Sequence, residues 1–210
     1  DALIRIAGIP DPVIRPIRGV DENIYYRNKL DFSCGNSRWL SLEELSGENN
    51  LQRNAIGFHR PGAFDKIVNI DHCYLQPDPS NDLRNFIMNF ALQQQFTFYD
   101  VRKHIGLLRN LIVRNTIQGE TMLILVYGEQ NEEHIKLLNE AILAQFPDLI
   151  FYYIVNQKKN DTIFDQELHL VQGIGYLTES LGHLKCRVGP KSFFQTNSKQ
   201  ALVLYQYVAE

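Results

Sequence analysis

Closely spaced cysteines are missing from this chain. Cys34, Cys73 and Cys186 are scattered over 210 residues. An odd, widely spaced set excludes a disulfide framework and fits a reducing, cytoplasmic setting with no disulfide partner. No apolar run approaches the roughly 20 residues that span a bilayer, so no membrane partner is expected. There is no Cys-x-x-Cys or His-x-x-x-His pair, and the six histidines stand apart, which leaves no self-contained metal site. Walker-type phosphate loops are absent too. Gly173-Ile174-Gly175-Tyr176 lacks the third glycine and the following helix of a dinucleotide fingerprint. Nor is there a global basic excess: the net charge is −3, with acids gathered at Glu43, Glu44 and Glu48. A surface coated in nucleic acid is therefore excluded, although a local basic face is not. The opening residues Asp1-Ala2-Leu3-Ile4-Arg5 carry no initiating Met and no signal-peptide pattern. They read as the interior of a helix, with further residues expected upstream.

What is present is ample apolar content for a core, in one large domain or two small ones. Residues 1–9 read as the tail of a helix, and Pro10, Pro12 and Pro16 enforce an extended passage after it. Rough alternation from Tyr25 to Ser33 predicts a strand with one solvated face. Ala55–His59 and Phe64–Ile70 flank Arg60-Pro61-Gly62 as a hairpin. Ser80 or Asn81 is placed to cap a helix whose apolar face holds Leu83, Phe86, Ile87, Phe90 and Ala91. A strand pair follows at Leu107–Val113 and Thr121–Tyr127. Next come a helix over 132–145 with Ile135, Leu138, Ala141 and Ile142 inward, and a buried strand at Leu149–Val155. Two short strands are predicted at Val171–Tyr176 and His183–Val188, and a last helix from Ser198 with Leu202, Tyr205 and Val208 on its apolar side. Hairpins interleaved with single helices give an α+β fold on a mixed or antiparallel sheet with packed helices.

One segment concentrates the chemistry. Gly189-Pro190-Lys191-Ser192-Phe193-Phe194-Gln195-Thr196-Asn197 sets two aromatics between a Gly-Pro turn and a run of amides and hydroxyls. Residues 181–200 carry Lys185, Arg187, Lys191 and Lys199 and no acid. Aromatic faces beside unopposed positive charge suit an RNA partner, since bases stack and phosphates attract cations. If the segment is extended, Phe193 and Phe194 point to opposite sides and at least one of them packs in the core. Gln195 between them and a helix start equally fits local backbone bonding. In the predicted first strand, Arg27 and Lys29 share one face, a suitable arrangement for phosphates or simply a solvated face. Arg102, Lys103, Arg109 and Arg114 read as ordinary charged surface, and Cys34, Cys73 and Cys186 as core or sheet residues.

Tyr25-Tyr26-Arg27-Asn28-Lys29, Gly57-Phe58-His59-Arg60-Pro61-Gly62, Ile70-Asp71-His72-Cys73-Tyr74-Leu75 and the Phe193-Phe194-Gln195 segment occur in the order found in RNA uracil-5 methyltransferases. The chain resembles that family, its ribosomal RNA branch in particular, along nearly its whole length. The resemblance implies a central α+β domain over 1–188, followed at 189–210 by the first strand and helix of a Rossmann-like methyltransferase domain. It implies S-adenosylmethionine as cofactor, Gln195 as the residue contacting it, and Phe193 and Asn197 near the target uridine. Arg27, Lys29, Arg60 and Lys191 would face the RNA. Cys73 would match the distant cysteine of a 4Fe–4S cluster whose other three ligands lie outside this sequence, since a cubane needs four. The implied reaction adds a cysteine thiolate to C6 of uracil and removes the C5 proton with a base. Both of those residues fall downstream of Asn197 in the family, so no catalytic residue is assigned in this chain. A non-catalytic RNA-binding module and a transfer-RNA uracil-5 methyltransferase are the alternative readings.

Overall fold

The computed structural model describes residues 2–47 and 51–209; Asp1 and Glu48, named above, lie outside the described residues. The elements in chain order are α1 (Ala2–Arg5), β1 (Lys29–Gly35), α2 (Leu42–Gly47), β2 (Ala55–Arg60), β3 (Ala63–Asn69) and α3 (Ser80–Gln93). They continue with β4 (Leu108–Asn115), β5 (Thr121–Tyr127), α4 (Glu132–Gln145), β6 (Ile150–Val155), β7 (His169–Gln172), β8 (Leu177–Leu181), β9 (Leu184–Val188) and α5 (Ser198–Ala209). Seven strands form one sheet in the order β3-β2-β1-β4-β5-β6-β7, and β8 and β9 form a separate hairpin. Every pair in the large sheet is antiparallel except β5 with β6, which α4 links as a crossover. The fold is α+β with a mostly antiparallel sheet, as expected.

Side-chain alternation assigns the two faces. Leu30, Phe32, Cys34, Leu111, Val113, Leu123, Leu125 and Phe151 point to one face, where Leu83 and Ile87 of α3 and Ile135, Leu138 and Ile142 of α4 cover them. On the other face Ile112, Met122, Ile124, Ile150 and Tyr152 are closed over by Ile163, Leu177, Val188 and Phe194. That cover extends over β4, β5 and β6 but stops short of β1, whose Lys29, Asp31 and Ser33 lie on the uncovered face.

Several local expectations change for identifiable reasons. β1 starts at Lys29 rather than Tyr25, because Tyr25 has φ 51°, outside the strand region. Tyr25 and Arg27 instead donate their N–H groups to the carbonyls of Tyr74 and Leu75. Ser80 and Asn81 do not cap α3. The Ser80 hydroxyl donates to Gln76 Oε1, and the Asn81 amide bonds both peptide groups of Cys73. The partner of β9 is β8, turned at Gly182 with φ +62°, while the earlier short strand is β7 at the edge of the large sheet. α2 was not expected, yet its capping box was present in the sequence. Ser41 Oγ accepts from Glu44 N–H at 3.2 Å, and Glu44 Oε2 accepts from Ser41 N–H at 2.9 Å. The apolar side read for α5 faces outward at Tyr205 and Val208; Ser198 and Ala201 are its buried residues.

Candidate functional site

The Gly189–Asn197 segment is extended but pairs with no strand, so the strand expected there is absent from the described residues. Side chains hold it in place of a ladder. Arg114 of β4 donates through Nη2 to the Ser192 carbonyl at 2.7 Å, and Ser192 Oγ accepts from Gly189 N–H at 3.0 Å. Asn28, just before β1, makes the central contacts. Its Nδ2 donates to the Gln195 carbonyl at 2.8 Å and to Ser198 Oγ at 2.7 Å, and its N–H donates to the Thr196 carbonyl at 2.8 Å. Ser198 passes its own proton to Glu179 Oε2 at 2.8 Å, which leaves a buried carboxylate beside the start of α5, where the helix dipole favours it. Asn197 caps α5 by accepting from Gln200 N–H at 2.9 Å. Two motifs that lie far apart in sequence are thus joined by one amide side chain.

This clamping fixes which side chains face outward. Phe194 packs against the core cluster of Ile112 and Met122, as one member of the pair was expected to do. Phe193 is 86% exposed. Gln195 is also exposed, and its carboxamide has no partner among the described residues. Beside Phe193 lies a cleft of ≈ 270 Å³ lined by Lys29, Asp31, Arg114, Lys191, Phe193 and Thr196 among others. Solvent reaches the Asp31 side chain, but protein surrounds its carboxyl on most sides. That desolvation raises its pKa to about 6, against the opposing pull of Lys29. Lys29 is lowered, first by desolvation and then by Arg114; burial also lowers Arg114, whose Nε has no hydrogen-bond partner.

The structure brings Lys29, Lys191, Phe193 and Gln195 to one region, with Asn197 at the adjoining helix start. Lys191 is already engaged: its Nζ donates to the Phe164 and Gln166 carbonyls at 3.0 and 2.7 Å. Arg27 lies outside β1, half-buried, with Nε 3.5 Å from the Lys29 carbonyl, so the shared strand face expected for the two residues does not form. Arg60 sits apart at the β2–β3 turn, 3.8 Å over the Trp39 ring. Cys73 is buried in the helix-covered core. No group of three Cys, His, Asp or Glu side chains suited to a metal occurs among the described residues. These residues alone therefore do not fit a four-thiolate cluster, and no step is derived through one. Arg109 and Arg114 are buried at 2% and 7% exposure, not surface charges as expected. The signal was a charge interrupting the apolar run of β4. Asn28 and Glu179 were missed because their partners lie far away in sequence.

No protein-family profile matches the chain. It is 43% identical over 215 residues to an uncharacterized RNA methyltransferase of Bacteroides thetaiotaomicron, covering 100% of this chain and 47% of that protein. A Porphyromonas gingivalis protein of the same name is 38% identical over 217 residues, with 100% and 47% covered. One from Chlorobaculum tepidum is 33% identical over 213 residues, with 99% and 44% covered. The chain spans about half the length of the curated relatives it matches. Among solved structures, the Pyrococcus abyssi tRNA (uracil-54, C5)-methyltransferase in complex with S-adenosyl-L-homocysteine superposes with a TM-score of 0.66. It is 24% identical, with 90% of this chain and 42% of that one covered, a likeness of fold.

Proposed function

We propose, from a chain homologous over its whole length to proteins named RNA methyltransferases, that it forms the RNA-facing half of an S-adenosylmethionine-dependent RNA uracil-5 methyltransferase. Ribosomal RNA is its substrate class and the cytoplasm its setting. The observation that carries this reading is the exposed pair Phe193 and Gln195 on a backbone clamped by Asn28 and Arg114. An aromatic side chain left 86% in water by a well-anchored segment suits stacking on an unpaired base. A carboxamide without an internal partner suits the donor, which the Pyrococcus protein's complex with S-adenosyl-L-homocysteine also favours. Gln195 supplies one contact, and the others are assigned to the length of the relatives that this chain does not span.

No nucleophile is assigned to the described cysteines. Cys34 is buried, and desolvation pushes its thiol well above the ordinary range. Cys73 is enclosed with both its peptide groups tied to Asn81, and Cys186 is half-buried in β9. The isolated chain is accordingly expected to form no 5-methyluridine. In the full protein, Gln195→Ala is expected to raise the KM for the methyl donor roughly tenfold, as a lost hydrogen bond of about 1 kcal/mol or more implies. RNA affinity should stay unchanged. An unchanged donor KM contradicts the assignment. Transfer RNA as substrate is a second reading, favoured by the substrate named for the Pyrococcus enzyme. Product mapping on ribosomal and transfer RNA separates the two. RNA binding without product on either would identify a non-catalytic module instead.

A further inference from the structure

A second cleft, of ≈ 360 Å³, lies on the same uncovered sheet face, its walls including Ser33, His59, Ile67, Tyr99, Arg109 and Asn110. The two clefts are neighbours. Asp161 lines both, and Asp31 of the first precedes Ser33 of the second by two positions on β1, about 7 Å of strand.

The charges of this second cleft are already satisfied within the protein. Asp65 pairs with Arg102 at 2.9 Å and Asp161 with Arg109 at 2.8 Å. Asp100 accepts from the Arg102 and Lys103 N–H groups and from Asn36 Nδ2. Lys66 Nζ donates to Ser37 Oγ at 2.7 Å. Such a cavity offers little to a phosphate, whose attraction needs uncompensated cations. It does offer polar groups to a neutral, flat ligand. The Ser33 hydroxyl has no partner among the described residues. Arg109 is only 2% exposed, yet its Nε lacks an acceptor, an uncommon condition that a ligand carbonyl would relieve. The Arg109 guanidinium also lies 4.4 Å over the Tyr99 ring. At the rim, two exposed aromatics carry arginines on their faces. Arg60 lies 3.8 Å over Trp39, which is 41% exposed, and Arg102 lies 5.2 Å over Phe64, which is 64% exposed. Exposed aromatic–arginine pairs are stacking platforms for unpaired bases.

We propose that this cleft receives one unpaired nucleobase of the RNA, distinct from the target uridine, and selects a base with an exocyclic carbonyl. The inference rests on the RNA-facing role proposed above. Uracil, cytosine and guanine present such a carbonyl to Arg109; adenine does not. The occupant is neutral, so it adds sequence preference without adding to the salt dependence that phosphates create.

The test titrates the full protein with single-stranded poly-C, which offers the carbonyl but no target uracil, and with poly-A. The wild type is expected to prefer poly-C. Ser33→Phe fills the cleft and should weaken poly-C binding roughly tenfold, the worth of about one stacked base. Poly-A affinity and the slope of log affinity against log salt should not change. Trp39→Ala, at an exposed position, provides a second variant whose folding is not in question, and it should weaken poly-C binding in the same direction. If wild type and both variants bind both polymers alike, the pocket is overturned while the RNA-facing role stands. If the wild type binds no RNA at all, both fall.

Discussion

The two halves of the large sheet differ in how many faces they bury. In β5 all seven residues, Thr121 to Tyr127, are buried, because helices close one face and the β8–β9 hairpin with its flanking segments closes the other. In β1 only the face of Leu30, Phe32 and Cys34 is closed, and Lys29, Asp31 and Ser33 are left beside open clefts. An antiparallel sheet tolerates one wet face. The doubly covered half therefore carries the stability of the fold, and the singly covered half presents the groups available to a ligand.

The largest effect should come from the covered half. Ile124→Ala removes a fully buried side chain from the second core and is expected to cost about 2–5 kcal/mol in urea unfolding. Ser33→Ala on the open half should stay within about 0.5 kcal/mol; comparable losses at both positions would erase the contrast. Next is Asn28→Ala, which removes the side-chain bonds to Gln195 and Ser198. It should cost about 1–3 kcal/mol and increase hydrogen exchange at the start of α5 before the sheet is affected. The smallest effect concerns pH. Asp31 holds its proton more tightly folded, with a pKa of about 6 against an ordinary 3.8. The stability it contributes is fully present below the ordinary value and is lost as pH rises through about 6. Asp31→Asn should flatten the fall of stability across that window, as followed by thermal unfolding at a series of pH values; an unaltered profile would show that the open face does not desolvate this carboxyl.

The covered half was legible from sequence, because the apolar run of β5 and the helical spacing of Leu83 and Ile87 report local burial. The open half was legible only in part. Phe193, Gln195 and Lys29 were identified from their residue types, but what holds them was not. Asn28 reaches partners 167 and 170 residues away, a contact that no local pattern records. Lys191 was read as a phosphate contact, whereas its ammonium is bonded to two loop carbonyls. Arg114 was read as solvated charge, although its place in a strand otherwise rich in Leu, Ile and Val pointed inward. Tyr25 belonged to a strand by alternation alone, a pattern its left-handed backbone overrides.

The central claim is that the clamped Gly189–Asn197 segment presents Phe193 for recognition rather than for packing. Phe193→Ala, assayed for single-stranded RNA affinity and melting temperature in the same preparation, tests it most directly. The account predicts an unchanged melting temperature and roughly tenfold weaker binding, the value of one lost stacking partner. Unchanged affinity, or a loss explained by a lowered melting temperature, would contradict it.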